Sequence, residues 1–450
     1  MGPTIKPNLS AESRHAQAAG ALLPAASRAV VVHSGARDAY QLALALSEAG
    51  MLEALVTDLF WPADRGWAVA LGSRLPKRVK NLLLQRSESQ LPSRRVRQNF
   101  FMGMATLILD KFPNMPASIR RRMMRRADSL LGDVAGKLAS HTGAGLVSYS
   151  YYAYDAFRNF SKPGILFQLH PHPGSMRRIL REELAAHPDC ADSLKQEWEL
   201  SLPEEDFEHL VREPAMASLI LVASSFTKAT LVEHGTPAAQ ISVIPYGVDT
   251  GRFFPAPERR SGPSGKLKLL FVGRINQRKG VKYLLEALRL LGELDVHLTI
   301  CGRVVDGLEL FRPFESQVTI RPSVSAKELV LAYQAADLFV FPSVAEGFGQ
   351  VLLESLACGL PILSTTRTAA PDLIDEGVHG FVVEPRRPDL IAERIRWAAT
   401  HRRELATMGL AARERAEEFT WQRFRTSVAQ AVGDFLVAEP LTPKGVPARM

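Results

Sequence analysis

Apolar residues fall in short runs along most of this chain. Ala29 to His33 (AVVVH), Leu52 to Thr57, Leu146 to Tyr149, Gly164 to Leu169, Ser218 to Ala223 (SLILVA) and Ile241 to Ile244 each read as a strand. So do Lys268 to Val272, Val296 to Ile300, Val318 to Ile320, Asp337 to Phe341 (DLFVF), Leu360 to Ser364 and Phe381 to Glu384. Continuous apolar runs bounded by turn residues suit strands buried on both faces. Stretches with helical character lie between them: Asp38 to Glu48 closed by Gly50, Phe226 to His234 behind Ser224-Ser225, Val281 to Leu291, Ala326 to Ala335, Gln350 to Ala357, Leu390 to Trp397 and Leu405 to Glu418. Serine before a helix and glycine after it are the expected boundaries. Strand and helix in alternation build parallel sheets, so the predicted class is α/β.

Two series of such units flank Pro255 to Gly265, which is rich in Pro, Gly and Ser and reads as a linker. A length of 450 residues suits two domains. The expected organisation is a loose arm over 1–26, a first domain over 27–248, a second over 262–418, a closing helix near 420–437 and a loose tail over 439–450.

Composition narrows the class. A hydrophobic content of 46% with 23% charged residues is globular, and a net charge of +8 with a pI near 9.4 favours anionic partners. Cys190, Cys301 and Cys358 are widely spaced, which suits a reducing compartment and suggests neither a disulfide framework nor a zinc site. No apolar run reaches the length of a membrane span, and the N-terminus has neither a signal-peptide pattern nor a myristoylation motif. The expected location is cytoplasmic.

Charge is also uneven. Arg65 to Arg126 carries fifteen Lys and Arg residues against only Glu88 and Asp110. Phe100, Phe101, Met102 and Met104 are interleaved, and Met123, Leu130, Val134 and Leu138 recur at roughly helical spacing. One reading is a solvated helix face. The other is a surface for an anionic bilayer or an acidic lipid-linked acceptor. Nucleic acid is not expected, because no nucleic-acid module signature is present.

The stretch with the most chemistry is Pro342 to Pro361, PSVAEGFGQVLLESLACGLP. It reads as strand, tight loop at Gly347-Phe348-Gly349, helix, stop at Cys358-Gly359, and strand. Free backbone amides near Gly349 to Val351 make a seat for phosphate. Glu346 and Glu354 frame it. Carboxylates beside an anion seat would repel the anion, so they are read as acceptors from hydroxyl groups. Hydroxyls on both sides of a phosphate describe a sugar nucleotide. A second loop, Gly273-Arg274-Ile275-Asn276-Gln277-Arg278-Lys279-Gly280, joins a strand to a helix without the GxGxxG of dinucleotide folds. Lys279 stands at the helix start and Arg274 can grip a phosphate through two parallel hydrogen bonds. Arg278 is read as the spare charge.

EGFG followed by an acid at Glu354 resembles the E-x7-E signature of GT-B glycosyltransferases of the GT4 family (glycosyl transferases group 1). The likeness runs from about Val222 to Trp421. It includes the Arg274/Lys279 loop, the crossing Pro245-Tyr246-Gly247-Val248-Asp249 and the closing Phe419-Thr420-Trp421. The resemblance implies two Rossmann-like parallel-sheet domains facing each other across a cleft, with the closing helix crossing back to the first. It implies contacts to the donor from Gly273, Phe348, Gly349, Gln350, Val351 and Glu354, and catalytic roles for Glu346, Arg274, Lys279 and His170. His170 resembles the cleft histidine of the family; a structural histidine capping a loop is the equal alternative, and His172 is read as a bystander. The chain departs from the family's pattern at Ala36-Arg37, at Pro322 and over Thr366 to Asp372, where glycines are usual.

No Asp-x-Asp motif is present, so no metal and no cofactor is expected. Fixed cations and helix amides would neutralise the departing diphosphate instead. The leading expectation is a retaining transfer of sugar from a nucleotide sugar to a hydroxyl of a saccharide or lipid-linked acceptor, in polysaccharide, lipopolysaccharide or glycolipid synthesis. Two alternatives stand beside it: another GT-B enzyme, such as a phosphorylase or sugar-nucleotide epimerase, and a nucleotide-sugar-binding protein without turnover.

Overall fold

The computed structural model describes residues 25–99, 103, 117–257 and 265–438. The arm, the tail, Phe100, Phe101, Met102, Met104, Asp110 and Lys111 lie outside them. Two compact units are present. The first takes in the described residues up to Leu166, with Met216–Leu219 and the chain from Arg425; the second takes in Phe167–Ala215 and Ile220–Phe424.

The strands of the N-terminal half are β1 (Ala29–Val32), β2 (Leu52–Thr57), β3 (Val96–Gln98), β4 (Gly145–Tyr149), β5 (Ile165–Gln168), β6 (Leu219–Val222) and β7 (Ile241–Val243). Their order is β3-β2-β1-β4-β5-β6-β7, a seven-stranded sheet. The β1–β2 and β1–β4 pairs are parallel, and Val30, Val31 and Val32 are fully buried, as their apolar run requires. The first helix starts later than its sequence predicts: α1 is Gln41–Glu48, and Asp38, Ala39 and Tyr40 hold positive φ of 45°, 50° and 61°. Left-handed backbone costs roughly 1–2 kcal/mol per residue for non-glycines. Tertiary contacts override the helical preference. Tyr40 is buried against the rings of His33 and Phe60, and the Asp38 carboxylate accepts from the Tyr149 hydroxyl at 2.6 Å. Burial pushes the Asp38 carboxyl up to about 7.

Helices α2 (Gly66–Arg74) and α3 (Lys77–Leu84) follow β2, and α4 (Ala117–Thr142) precedes β4. The short α5 (Ala153–Arg158) packs on α4. The buried face of α4 brings Gly132, Ala135, Gly136 and Ala139 inward, with Leu131 the one large apolar residue among them. A Cβ on Gly132 or Gly136 would lie 2.6 Å or 2.2 Å from backbone oxygens of Tyr152 and Ala156, so only glycine allows this approach. Ile119, Met123, Leu130 and Val134 therefore face solvent; Leu130 is 54% exposed. Arg125 does not belong to that solvated surface: it is buried and bonds Asp155 at 2.7 Å. Arg86 pairs with Asp58 and Arg95 with Glu53, acids that lie outside the basic stretch of sequence.

The second unit contains α6 (Pro173–Ala186), α7 (Glu204–Met216, which ends past the unit's Ala215 boundary) and α8 (Ser225–Glu233). It also contains β8 (Leu267–Val272), α9 (Val281–Leu291), β9 (Val296–Cys301), β10 (Val318–Arg321), α10 (Ala326–Ala335) and β11 (Leu338–Phe341). Then come α11 (Gln350–Ala357), β12 (Ile362–Thr365), β13 (Gly380–Val383), α12 (Pro388–Thr400) and α13 (Arg402–Glu417); α14 (Trp421–Ala438) has only its first turn in this unit. The six-stranded parallel sheet has the order β10-β9-β8-β11-β12-β13. Strand order reverses between β8 and β11, the point at which parallel sheets hold ligands beyond the carboxyl ends of their strands. Each of these two strands runs directly into one of the motif loops.

Candidate functional site

The loop after β8 is held on several sides. Asn276 caps a single turn, Gln277–Lys279, by accepting from the Lys279 amide at 3.3 Å. The Gln277 amide donates to Asp306 at 2.9 Å, and its side-chain amide donates to the fully buried Glu183 at 2.9 Å. Gly280 ends the turn at φ 75°, and a Cβ there would lie 2.0 Å from the Pro342 carbonyl. That close approach ties the loop after β8 to the loop after β11. Val344 N–H and Ser343 Oγ then donate to the Arg278 carbonyl at 2.9 Å and 3.2 Å.

The second loop carries Glu346 and ends at Gly349, whose φ of 87° turns the chain into α11. A Cβ on Gly347 would lie 2.1 Å from the Leu169 carbonyl oxygen and 3.2 Å from His170 Cα, so no side chain fits there. Its own carbonyl accepts from Ser224 Oγ at 2.6 Å and Thr227 Oγ1 at 3.2 Å. His170, beyond the end of β5, is thereby brought against the backbone of the glycine loop. The first amides of α11, Gln350 and Val351, precede any helical carbonyl that could accept from them.

Charge is concentrated where these loops meet. Lys279 is ion-paired with Glu346. Arg278 Nη2 lies 3.6 Å from the same carboxylate, and Arg278 Nε lies 3.4 Å from Glu197. Arg274 is 3.9 Å from Glu197, with its side chain 56% exposed. Burial, followed by the neighbouring Arg278 and Arg274, drives the Lys279 ammonium well below its ordinary pKa, while Glu197 opposes the fall. Arg278 is thus no spare charge. Its side chain is 8% exposed and sits between two carboxylates.

The remaining motif residues divide by what their side chains can reach. Glu354 lies one turn into α11, and burial raises its pKa; Tyr333 from α10 donates to it at 2.9 Å. Gln350 spends its side-chain amide on the Gly247 carbonyl at 2.7 Å, which leaves its backbone N–H for a ligand. Phe348 does not present its ring: it is buried against Tyr246, so only its backbone can meet a ligand. Gly273 lies at the end of β8 with φ 149°, where a Cβ would meet nothing closer than 3.8 Å. His172 caps α6, stacks on His234 at 3.8 Å, and is lowered to about 4 by burial. Among the described residues, no group of three His, Cys, Asp or Glu side chains is gathered around a metal-sized position.

Glu197 and Tyr333 belong to this site and carry no local motif. Glu197 sits between two single-turn helices, Ala191–Leu194 and Trp198–Ser201, with no pattern that marks it. Tyr333 sits on a helix face whose apolar periodicity explains it without any role.

The family model described as glycosyl transferases group 1 matches residues 256–415. The chain is 32% identical over 251 residues to the D-inositol 3-phosphate glycosyltransferase of Pseudarthrobacter chlorophenolicus, which is 50% of this chain and 60% of that protein. The chain spans about half the length of the curated relatives it matches. Among solved structures, sucrose-phosphate synthase from Thermosynechococcus elongatus aligns with a TM-score of 0.63 at 19% identity, over 92% of this chain and all of that one. Anabaena HepE in complex with UDP and glucose aligns with a TM-score of 0.55 at 17% identity, with the same coverage. These likenesses establish the GT-B fold.

Proposed function

We propose, from the match of residues 256–415 to the group 1 glycosyl transferases, that the chain is a retaining glycosyltransferase using a nucleoside-diphosphate sugar. The observation that carries this reading is the meeting of Arg274, Arg278 and Lys279 with Glu346 and the amino end of α11 at the β8/β11 reversal. Cations and amides suit a diphosphate, and the carboxylate beside them suits sugar hydroxyls.

In this reading Lys279, Arg274 and the Gln350 and Val351 amides hold the diphosphate. When the bond from the anomeric carbon to the phosphate oxygen breaks, its electron pair stays on the diphosphate, and these donors take up the added charge. The acceptor hydroxyl attacks from the same face and passes its proton to a phosphate oxygen. Glu346 orients the sugar, Glu354 accepts from the ribose hydroxyls, and His170 contacts the sugar from the end of β5. Positive side chains around the phosphate position make charge neutralisation by the protein itself sufficient, without a metal.

We assign the acceptor to the class of polyols and lipid-linked saccharides. The matched inositol 3-phosphate transferase is named for a phosphorylated polyol. Over 65–84 the first unit exposes Trp67, Val69, Leu71 and Leu84 with Arg65, Arg74 and Lys80, and on α4 it exposes Met123 and Leu130 with Arg122 and Arg126. Segments that expose apolar and cationic groups together suit an anionic bilayer. No helix among the described residues is long and apolar enough to cross a membrane.

The deciding experiment is a panel of nucleotide sugars scored for thermal stabilisation and for release of nucleoside diphosphate, with and without chelator. Stabilisation by one donor with slow hydrolysis, unaffected by chelator, is expected. Turnover of a sugar phosphate without any nucleotide would favour a phosphorylase, and binding without release would leave a carrier.

A further inference from the structure

We propose that Glu197 is a positioning residue for the donor's diphosphate: from outside the motif loops, it fixes the cationic turn Arg274–Lys279 in its binding shape. The inference rests on the reading of that turn as the phosphate-binding loop.

Three contacts converge on the Glu197 carboxylate. Asn276 Nδ2 donates to Oε1 at 3.2 Å, Arg278 Nε lies 3.4 Å from the same oxygen, and Arg274 Nη2 lies at 3.9 Å. Glu197 is buried, with a side chain 10% exposed. Asn276 is the cap of the turn, so holding its Nδ2 aims its Oδ1 at the Lys279 amide. Arg278 cannot leave without placing a buried guanidinium against Glu346 alone. One carboxylate thus orients the cap and anchors the middle cation, while the distal cation remains largely in solvent.

The arrangement has an electrostatic side. The groups that face Lys279 are Arg278, Arg274, Glu197 and Glu346, with the Phe341 ring 5.1 Å from the ammonium. Without Glu197, two guanidinium groups beside Lys279 lose the negative charge between them. The ammonium then releases its proton at lower pH, and the loop loses a charge that the diphosphate needs.

A bystander carboxylate near an anion site would behave in the opposite way. Its removal would relieve repulsion and tighten diphosphate binding at every pH.

The test compares wild type with Glu197→Gln, which keeps shape and an acceptor for Asn276, and Glu197→Asp, which keeps the charge. Amide hydrogen exchange without ligand reads the brace: in Glu197→Gln the peptide covering 274–280 should exchange about tenfold faster, with distant segments unchanged. Titration with UDP across pH reads the charge: affinity should fall about tenfold on the alkaline side, with the alkaline limb displaced toward neutrality. Glu197→Asp should restore most of the limb's position. Unchanged exchange over 274–280, or tighter UDP binding in Glu197→Gln at all pH, overturns the inference. If the exchange responds but wild type binds no nucleoside diphosphate, the brace stands and the donor reading falls. If Glu197→Gln does not fold, Glu197→Asp carries the exchange measurement, because its shorter side chain draws back from Asn276 and Arg278; unchanged exchange over 274–280 in that variant overturns the proposal.

Discussion

Tyr333 projects from α10 to donate its hydroxyl, at 2.9 Å, to the carboxylate of Glu354 in α11. Tyr333 is buried and Glu354 half-buried, and desolvation raises the pKa of each. The second acid of the signature is therefore a partly desolvated carboxylate steadied by one neutral donor, with Arg252 adding a weaker attraction.

Tyr333→Phe removes that donor and leaves a half-buried carboxylate without it. A loss of roughly 1–3 kcal/mol in stability is expected. Denaturant titration monitored by circular dichroism measures it; a change within error would mean that water or Arg252 replaces the hydroxyl.

Glu354→Gln should change the pH dependence of stability. The folded pKa of Glu354 lies above its unfolded value, so in the interval between them the folded state holds a proton that the unfolded chain has released. Stability falls as pH rises through that interval. Glutamine has no such penalty, so the variant's melting temperature should gain on wild type as pH rises above the ordinary carboxylate range. The same variant should show a weaker preference for ribonucleotides over deoxyribonucleotides, because an amide offers one acceptor atom to the two diol hydroxyls. Equal losses for both nucleotides would detach Glu354 from the ribose.

Lys279→Ala and Arg274→Ala should each lower transfer by about 10²–10³-fold, the effect of losing one donor to developing negative charge. Arg274→Ala should leave the melting temperature nearly unchanged, because that side chain is mostly solvated. Lys279→Ala also frees Glu346 and should alter stability. Wild-type activity should fall on the alkaline side below the ordinary lysine range, since burial and two arginines lower the Lys279 pKa. Steady-state rates with a fixed donor check all three.

Asp38→Asn should stabilise the first unit above neutrality. The Asp38 carboxyl, pushed up to about 7, keeps its proton when folded and loses it when unfolded at lower pH, so stability declines as pH rises toward 7. Asparagine tolerates left-handed backbone and still accepts from Tyr149. The variant should melt higher than wild type at about pH 8, with the gap closing toward about pH 4. A constant gap across that range would assign the effect to backbone preference.

Anionic vesicles should retain the protein at low salt, and Arg122→Gln with Arg126→Gln should weaken retention; each cation near such a surface contributes roughly 1 kcal/mol. Trp67→Ala should weaken it further through lost apolar contact. Arg125 has no place in this set. Replacing it leaves buried Asp155 with only the more distant, half-exposed Arg158 at 3.6 Å and should cost roughly 3 kcal/mol of stability. Co-sedimentation with neutral and anionic vesicles decides the matter, and a supernatant-only result with both would leave a soluble acceptor.

Most strands were legible because buried parallel strands must be continuously apolar, as at Val30 to Val32 and Leu338 to Phe341, whereas the short, largely exposed edge strand Val96–Gln98 has no such run and was not. The helix Gln350–Ala357 was legible to the residue, since glycines stand at both of its ends. Elsewhere, side-chain environment decided and local pattern could not. Arg278 looks like any loop arginine until Glu197 and Glu346 are placed beside it. Asp38 to Tyr40 reads as helix until burial of Tyr40 sets the turn. On α4 four of the larger apolar residues, Ile119, Met123, Leu130 and Val134, mark the outer face, because at Gly132 and Gly136 the inner one admits no side chain against α5.

The acids that brace the cationic turn come from well upstream: Glu197 precedes Asn276 by 79 residues and Glu183 precedes Gln277 by 94. During synthesis both carboxylates leave the ribosome before the turn they hold has been made. A polypeptide cut to the family-matched stretch 256–415 would contain Arg274, Arg278 and Lys279 but neither of these acids. The recognisable sequence of the donor loop and its working geometry thus reside in different lengths of chain, and a fragment chosen by the first would not inherit the second.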